Sequence, residues 1–206
     1  MATLPITCGY CGRDVGAEIV ADSAGDAVAS RDYKPNPNAI LWLRCPSCGQ
    51  GSVRRSNPIG IVPGTSPGRS LKNLPADVDR APAEARSAHS VTAYTAAEIM
   101  CRKILMHLAV DKAGAQAGKQ FAHYVDELER AGYITTGLKT VVDQIRKRGN
   151  IANHELPSST EQDSLTTLKI TEHLLEAIYE LPGMGTPATP LAATAPKAAV
   201  GQATVT

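Results

Sequence analysis

The sequence predicts a mainly α fold, a bundle of four to five helices preceded by a small β zinc ribbon. Three observations predict it. Two Cys-x-x-Cys-Gly turns, Cys8 to Gly12 and Cys45 to Gly49, lie near the start of the 206 residues. Residues 74–182 carry apolar side chains at helical spacing, and a stretch rich in Pro and Gly separates the two regions. The boundaries follow: a zinc ribbon over 1–55, a connector over 56–73, a helical domain over 74–182 and a disordered tail over 183–206.

In the first region, Ala39-Ile40-Leu41-Trp42-Leu43 is a short apolar strand that enters Cys45, and Lys34-Pro35-Asn36-Pro37-Asn38 ahead of it is turn material. Each cysteine pair puts two thiolates on a tight turn, with a glycine behind it to take a left-handed backbone. Two such turns make a tetrahedral site, with Cys8, Cys11, Cys45 and Cys48 as ligands. The 33 residues between Cys11 and Cys45 exceed the commonest spacing, and an inserted hairpin absorbs them. Disulfides or a redox pair are the competing reading, and they fit poorly with a chain lacking a leader signal. Four thiolates leave no open position for water, so the expected cofactor is structural zinc that stabilises a module too small to hold itself together. Arg44, Arg54 and Arg55 near the second turn form a solvated rim or meet phosphate.

The connector SNPIGIVPGTSPGRSLKN, Ser56 to Asn73, reads as extended chain. Beyond it, Ala97, Cys101, Ile104 and Leu108 recur at i, i+4, i+7 and i+11. The spans expected for helices are 75–88, 91–111, 118–131, 137–153 and 160–181. The last opens at Ser158-Ser159-Thr160 with Asp163 behind it and closes at Pro182-Gly183. Cys101 is read as a small buried hydrophobe, and Glu98 with Arg102 as a surface pair. The tail is mostly Ala, Thr and Pro without an aromatic residue, too little to offset chain entropy.

Charge narrows the function classes. The chain carries 21 Lys+Arg against 20 Asp+Glu, net +1, which removes the simplest case for a dedicated polyanion binder. Residues 72–182 hold 13 basic and 15 acidic side chains, net −2. No apolar run approaches the roughly 20 residues of a membrane span, and Met1 to Ile6 lack a targeting pattern, so the expected place is the cytoplasm. No glycine-rich phosphate loop, Ser-His-Asp order or paired-carboxylate motif stands out.

The segment Gln144 to His154 is the most suggestive. With about 100° per residue and Ile145 at zero, Leu138, Val142, Gly149 and Ala152 form a buried stripe. Arg146, Asn150 and His154 then fall in a row at i, i+4 and i+8 along one flank. A cation, an amide and an imidazole in line suit phosphate binding and proton transfer. The same row also suits a capping and hydrogen-bonding network. Gly149 and Asn150 are poor helix formers, and close approach of a second helix, from this chain or a dimer mate, explains them.

Leu74-Pro75, Glu84-Ala85, Tyr94-Thr95-Ala96, Arg102-Lys103-Ile104-Leu105 and Gly149-Asn150 followed by His154 resemble the domain of unknown function 4145 family over about residues 74–182. That family is grouped with the HEPN helical domains. The resemblance therefore implies a HEPN-like bundle of four to five helices, often dimeric, found in bacteria and their viruses and associated with conflict or defence systems. Many HEPN relatives are metal-independent endoribonucleases in which an Arg, a polar residue and a His converge on RNA with their dimer copies. By position, Asn150 matches the polar residue and His154 the His, while Gly149 stands where the nuclease pattern has Arg. Arg148 or Arg146 would substitute, and Arg146 shares the face of His154.

Two functions compete. One is a non-catalytic adaptor that binds nucleic acid or a protein partner, as a homodimer and without a membrane, in a bacterial or phage system. The other is a ribonuclease in which His154 moves the proton, Arg146 stabilises charge on phosphorus and Asn150 orients the phosphate. Arg146, Lys147, Arg148 and Arg102 are the candidate nucleic-acid contacts. The net charge of the helical region weighs against the nuclease.

Overall fold

A computed structural model describes residues 2–25, 28, 33–56, 59–151 and 158–184, with the side chains of 59 and 148–151 left out of the description. The order of elements corrects the expected fold class. The chain is not a HEPN-like helical bundle led by a small ribbon: it is 47% helix and 16% strand, with a five-stranded antiparallel half-barrel beside five helices. The strands are β1 (Thr3–Thr7), β2 (Asp14–Asp22), β3 (Leu41–Arg44), β4 (Gly51–Ser56) and β5 (Ile59–Val62), in that spatial order. Most of them evade a sequence reading for local reasons. Pro5 interrupts β1, Arg54 and Arg55 fill β4, and β5 lies inside the Pro- and Gly-rich stretch expected to be a bare connector.

Alternation sets the inner face. On β3, Leu41 and Leu43 are buried while Trp42 and Arg44 point outward. Ala17, Ile19, Ala39, Leu41 and Leu43 form the inner cluster, and Leu4, Ile6, Val15 and Ile61 pack against it from strands at both edges. Both edges therefore feed one core, as curling requires. Among the described residues, only Ile19, Leu41 and Leu43 are large and buried there, each contributing about 1.5–3 kcal/mol. That is a small core for five strands. Arg54 adds polar support, its Nη2 donating to the carbonyls of Asn36, Pro37 and Ala39 at 2.7–3.2 Å.

The helices are α1 (Arg80–Ser90), α2 (Tyr94–Ala113), α3 (Phe121–Arg130), α4 (Thr136–Ile151) and α5 (Glu161–Leu175), the last continuing through a π-helical turn (Glu176–Glu180) into α6 (Leu181–Met184). The long α2 runs through the middle and packs against α1, α3 and α5. It buries Ala97, Cys101, Ile104, Leu105, Leu108 and Ala109, and stops at Gly114, whose φ of 66° suits a residue without a side chain. Helix α5 starts on a capping box: Thr160 accepts from the Asp163 N–H, and the Asp163 carboxylate accepts from the Thr160 N–H. Leu105, Leu108, Leu128, Val142, Ile145, Leu174 and Leu175 fill the core between these helices.

The segment between sheet and helices is held at several points. A Cβ on Gly9, in the first cysteine turn, would overlap the backbone oxygens of Pro63 and Gly64. The Gly64 N–H donates to the Ser90 carbonyl at 2.7 Å, where α1 ends. Arg69 then reaches Glu176 at 2.6 Å and Glu180 at 2.9 Å, and its backbone N–H donates to Glu172 at 3.1 Å. Leu71 and Leu74 pack on the helical core. The tail expected over 183–206 lies outside the described residues from 185 onward, and among the described residues no helix is long and apolar enough to cross a membrane.

Candidate metal centre

Sheet pairing brings the two cysteine turns together. β1 and β2 pair through Thr7↔Asp14, which leaves Cys8–Arg13 as the closing turn, and β3 and β4 pair through Arg44↔Gly51, which leaves Cys45–Gln50 as the second. The turns repeat one geometry. Cys8 N–H donates to Arg13 O at 2.9 Å and Gly12 N–H to Cys8 O at 2.8 Å; Cys45 N–H donates to Gln50 O and Gly49 N–H to Cys45 O, both at 2.9 Å. Gly12 and Gly49 have φ of 69° and 75°. Glu18↔Arg44 and Ile19↔Leu43 pairing between β2 and β3 sets the turns side by side, and Arg13 Nη1 donates across to Ser47 Oγ at 2.6 Å.

The four Sγ atoms all lie within 4.8 Å of one another, with Cys8–Cys48 at 3.8 Å and Cys11–Cys45 at 3.9 Å. A disulfide needs about 2.05 Å, so these distances exclude bonded pairs. Tetrahedral Zn–S bonds of about 2.3 Å place the sulfurs about 3.8 Å apart, and the cluster matches that spacing. The set can hold a metal ion. Its electrostatics point the same way. Burial opposes ionisation of Cys45, but the backbone N–H groups of Cys48 and Ser47 and the thiols of Cys48 and Cys8 outweigh it and bring its pKa down to about 7. A Gln50 N–H favours the Cys48 thiolate, yet desolvation and the thiols of Cys45, Cys8 and Cys11 push it up to about 11. Four crowded thiols cannot all ionise without a central cation.

The helical candidates are dispersed. Arg146 Nη1 binds Asp126 of α3 at 2.7 Å and its Nη2 binds Asp143 of α4 at 3.1 Å. Lys147 is exposed. Arg148 and Asn150 lie on the backbone of α4 with side chains outside the description, and His154 lies outside the described residues. Arg102 is far from that row in role: its Nη2 lies 3.7 Å from Glu98 Oε1 and its guanidinium stands 5.6 Å from the centre of the Phe121 ring. The Glu98–Arg102 pair is not the surface pair expected, because the two side chains are 3% and 17% exposed. Ser159 Oγ donates to Glu98 as well, and Thr167 Oγ1 lies 3.4 Å from it. The pair thus ties the start of α5 to α2. Cys101 is fully buried, and burial pushes its thiol up to about 12, as a small buried hydrophobe requires.

Sequence reasoning missed three residues that shape the site's surroundings. Gly9 lets the connector touch the first turn, and nothing local in Cys-Gly-Tyr-Cys signals it. Arg69 was an unremarked cation in a loop. Trp42 sits outward, and period-two alternation around Leu41 and Leu43 was signal enough to find it.

Comparison with known proteins gives one result and two blanks. No curated protein matches the chain, and no solved structure does. The model of the family described as "Domain of unknown function (DUF4145)" matches residues 83–187, which runs from within α1 through α6. On that match over half of its length, the chain belongs to the DUF4145 family.

Proposed function

We propose that this protein is a non-catalytic binding module, in which a zinc-stapled half-barrel and the DUF4145 helices form one scaffold for a nucleic acid or protein partner. Arg146 carries the reading: the cation best placed to serve phosphate chemistry beside His154 is already held by Asp126 and Asp143. A guanidinium with two carboxylates on it has little left for a phosphate. The metal site adds to this. Cys8, Cys11, Cys45 and Cys48 fill all four positions of a zinc ion, which then brings folding energy and no activated water.

The homodimer and the setting in bacterial or phage conflict belong to the same reading. Light scattering checks the first, with a mass near twice 21.7 kDa expected. Metal analysis of the purified chain should return about one zinc per chain, lost in Cys8→Ser. The function itself is tested by incubation with total RNA in excess EDTA, beside His154→Ala, with zinc content measured afterwards. The expected result is intact RNA with both. Cleavage by the parent and not by the variant overturns the reading in favour of a metal-independent ribonuclease using Arg146, Asn150 and His154.

A further inference from the structure

The outer face of the half-barrel is an open surface with one aromatic residue on it. β3 places Trp42 and Arg44 outward, and the register sets Trp42 opposite Val53 of β4 and Ala21 of β2. Arg55, two residues beyond Val53, lies on the same face by alternation. The bulge between Ile19 and Ala21 brings Val20 out beside them. Trp42 is 45% exposed, Val20 57% and Ile40 37%. An indole this open, where a folded chain would ordinarily cover it, marks a contact surface. Its charge says which kind. Arg44 is 63% exposed and meets Glu18 only at 3.9 Å, beyond hydrogen-bond length. Arg55 is half-buried, its Nε out of solvent and its charge acting on Tyr94, so the face offers a flat π surface with one exposed arginine, Arg44, beside it.

We propose that this face binds single-stranded nucleic acid, with a base stacked on Trp42 and a flanking phosphate on Arg44. This rests on the binding-module reading and names its partner. A lone exposed indole on a convex sheet stacks on an unpaired base and has no such purchase on bases within a duplex. The chemistry has no base-edge donors at its centre, so binding is tolerant of sequence. The surface also lies on the sheet, away from the Arg146–Lys147–Arg148 segment of α4.

The chain contains one tryptophan, so its tryptophan emission reports on the surroundings of Trp42 alone. The zinc-loaded full chain is titrated with a fluorescein-labelled oligouridine of about twelve nucleotides, a length within the usual span of such sites. Emission and anisotropy are read together. The expected result is saturable quenching of Trp42 that tracks anisotropy, with weaker binding to a duplex of the same length. One phosphate contact gives a slope of about −0.7 in log affinity against log salt, falling to about zero in Arg44→Gln. Trp42→Ala weakens binding about 5- to 150-fold by anisotropy, and Trp42→Phe recovers most of it. Unchanged emission at saturating oligonucleotide, or equal affinity in Trp42→Ala, overturns the proposal. If the chain keeps its zinc and cleaves no RNA yet shows no quenching, the nucleic-acid assignment alone fails and the face is left for a protein.

Discussion

Replacing Arg102 with Ala should cost the fold a substantial part of its stability. The Glu98 carboxylate is almost completely buried on α2, and Arg102 is the cation beside it. Removing one member of a buried ion pair costs about 3–5 kcal/mol, because the other charge stays behind without compensation. Two features reduce that figure here. Arg102 keeps some solvent contact, and Glu98 retains the hydroxyls of Ser159 and Thr167. One feature adds to it: the guanidinium over the Phe121 ring is worth about 0.5–1 kcal/mol. The balance is about 3 kcal/mol. For a chain of this length that is roughly 6–12 °C in Tm, at about 2–4 °C per kcal/mol. The assay is thermal unfolding followed by helical circular dichroism, with a urea titration of unchanged m value confirming that stability alone has moved. Glu98→Gln combined with Arg102→Met should cost less than the two single changes added together, since neither charge is then stranded. An Arg102→Ala shift below about 2 °C would refute the reasoning and return the pair to a screened surface contact worth about 0–1 kcal/mol.

Three further outcomes follow from the same contacts. Gly9→Ala forces a methyl into the backbone of Pro63 and Gly64, and overpacking of that kind should cost about 1–3 kcal/mol, read as a lower urea midpoint at unchanged zinc content. Arg69→Ala removes the cation shared by Glu176 and Glu180, so limited proteolysis should cut the 63–74 segment faster than in the parent. His89 is buried against Ser164 at 2.9 Å, and desolvation holds its pKa below the ordinary value while Glu161 pulls weakly the other way. A histidine with a lowered folded pKa favours folding above its unfolded pKa and loses that contribution as the pH falls below it. Tm should therefore decline between pH 7.5 and pH 5.5, and His89→Gln should flatten that part of the curve; an identical slope in both would remove His89 as the cause.

What the sequence made visible was local. A Cys-x-x-Cys-Gly turn carries its geometry within five residues, so the four cysteines that can hold a metal could be named before the fold was known. Helical periodicity in α2 works the same way, since Ala97, Cys101, Ile104 and Leu108 repeat along one stripe. The half-barrel was hidden because its pairing partners are distant and its strands are atypical: Arg54 and Arg55 read as a charged rim, and Ile59 to Val62 sit among prolines and glycines. Non-local polar contacts were hidden too. Nothing near Glu98 announces Ser159 and Thr167, which lie 61 and 69 residues away. Arg146 looked free for the same reason, its partner Asp126 being 20 residues back on another helix.

The most consequential of these hidden features is the path from the metal centre to the helices. The first cysteine turn rests directly on Pro63 and Gly64 through Gly9. Gly64 is fixed in turn to the end of α1 at Ser90, and five residues later Arg69 grips α5 and its π-helical extension. The segment that composition presents as a spacer is thus held at both Gly64 and Arg69. Under the proposed zinc site, the small half-barrel core makes the first turn depend on its metal, and that turn should be the first part to loosen when zinc is withdrawn. Loosening there removes the surface against which Pro63 and Gly64 are seated. The hydrogen bond at Ser90 and the β4–β5 pairing then have to hold this end of the segment. Zinc removal should accordingly raise amide exchange in residues 60–70 and at the end of α1, while the α2–α3 core keeps its protection. Exchange that rises only within the cysteine turns would show that the two units share a boundary and no coupling.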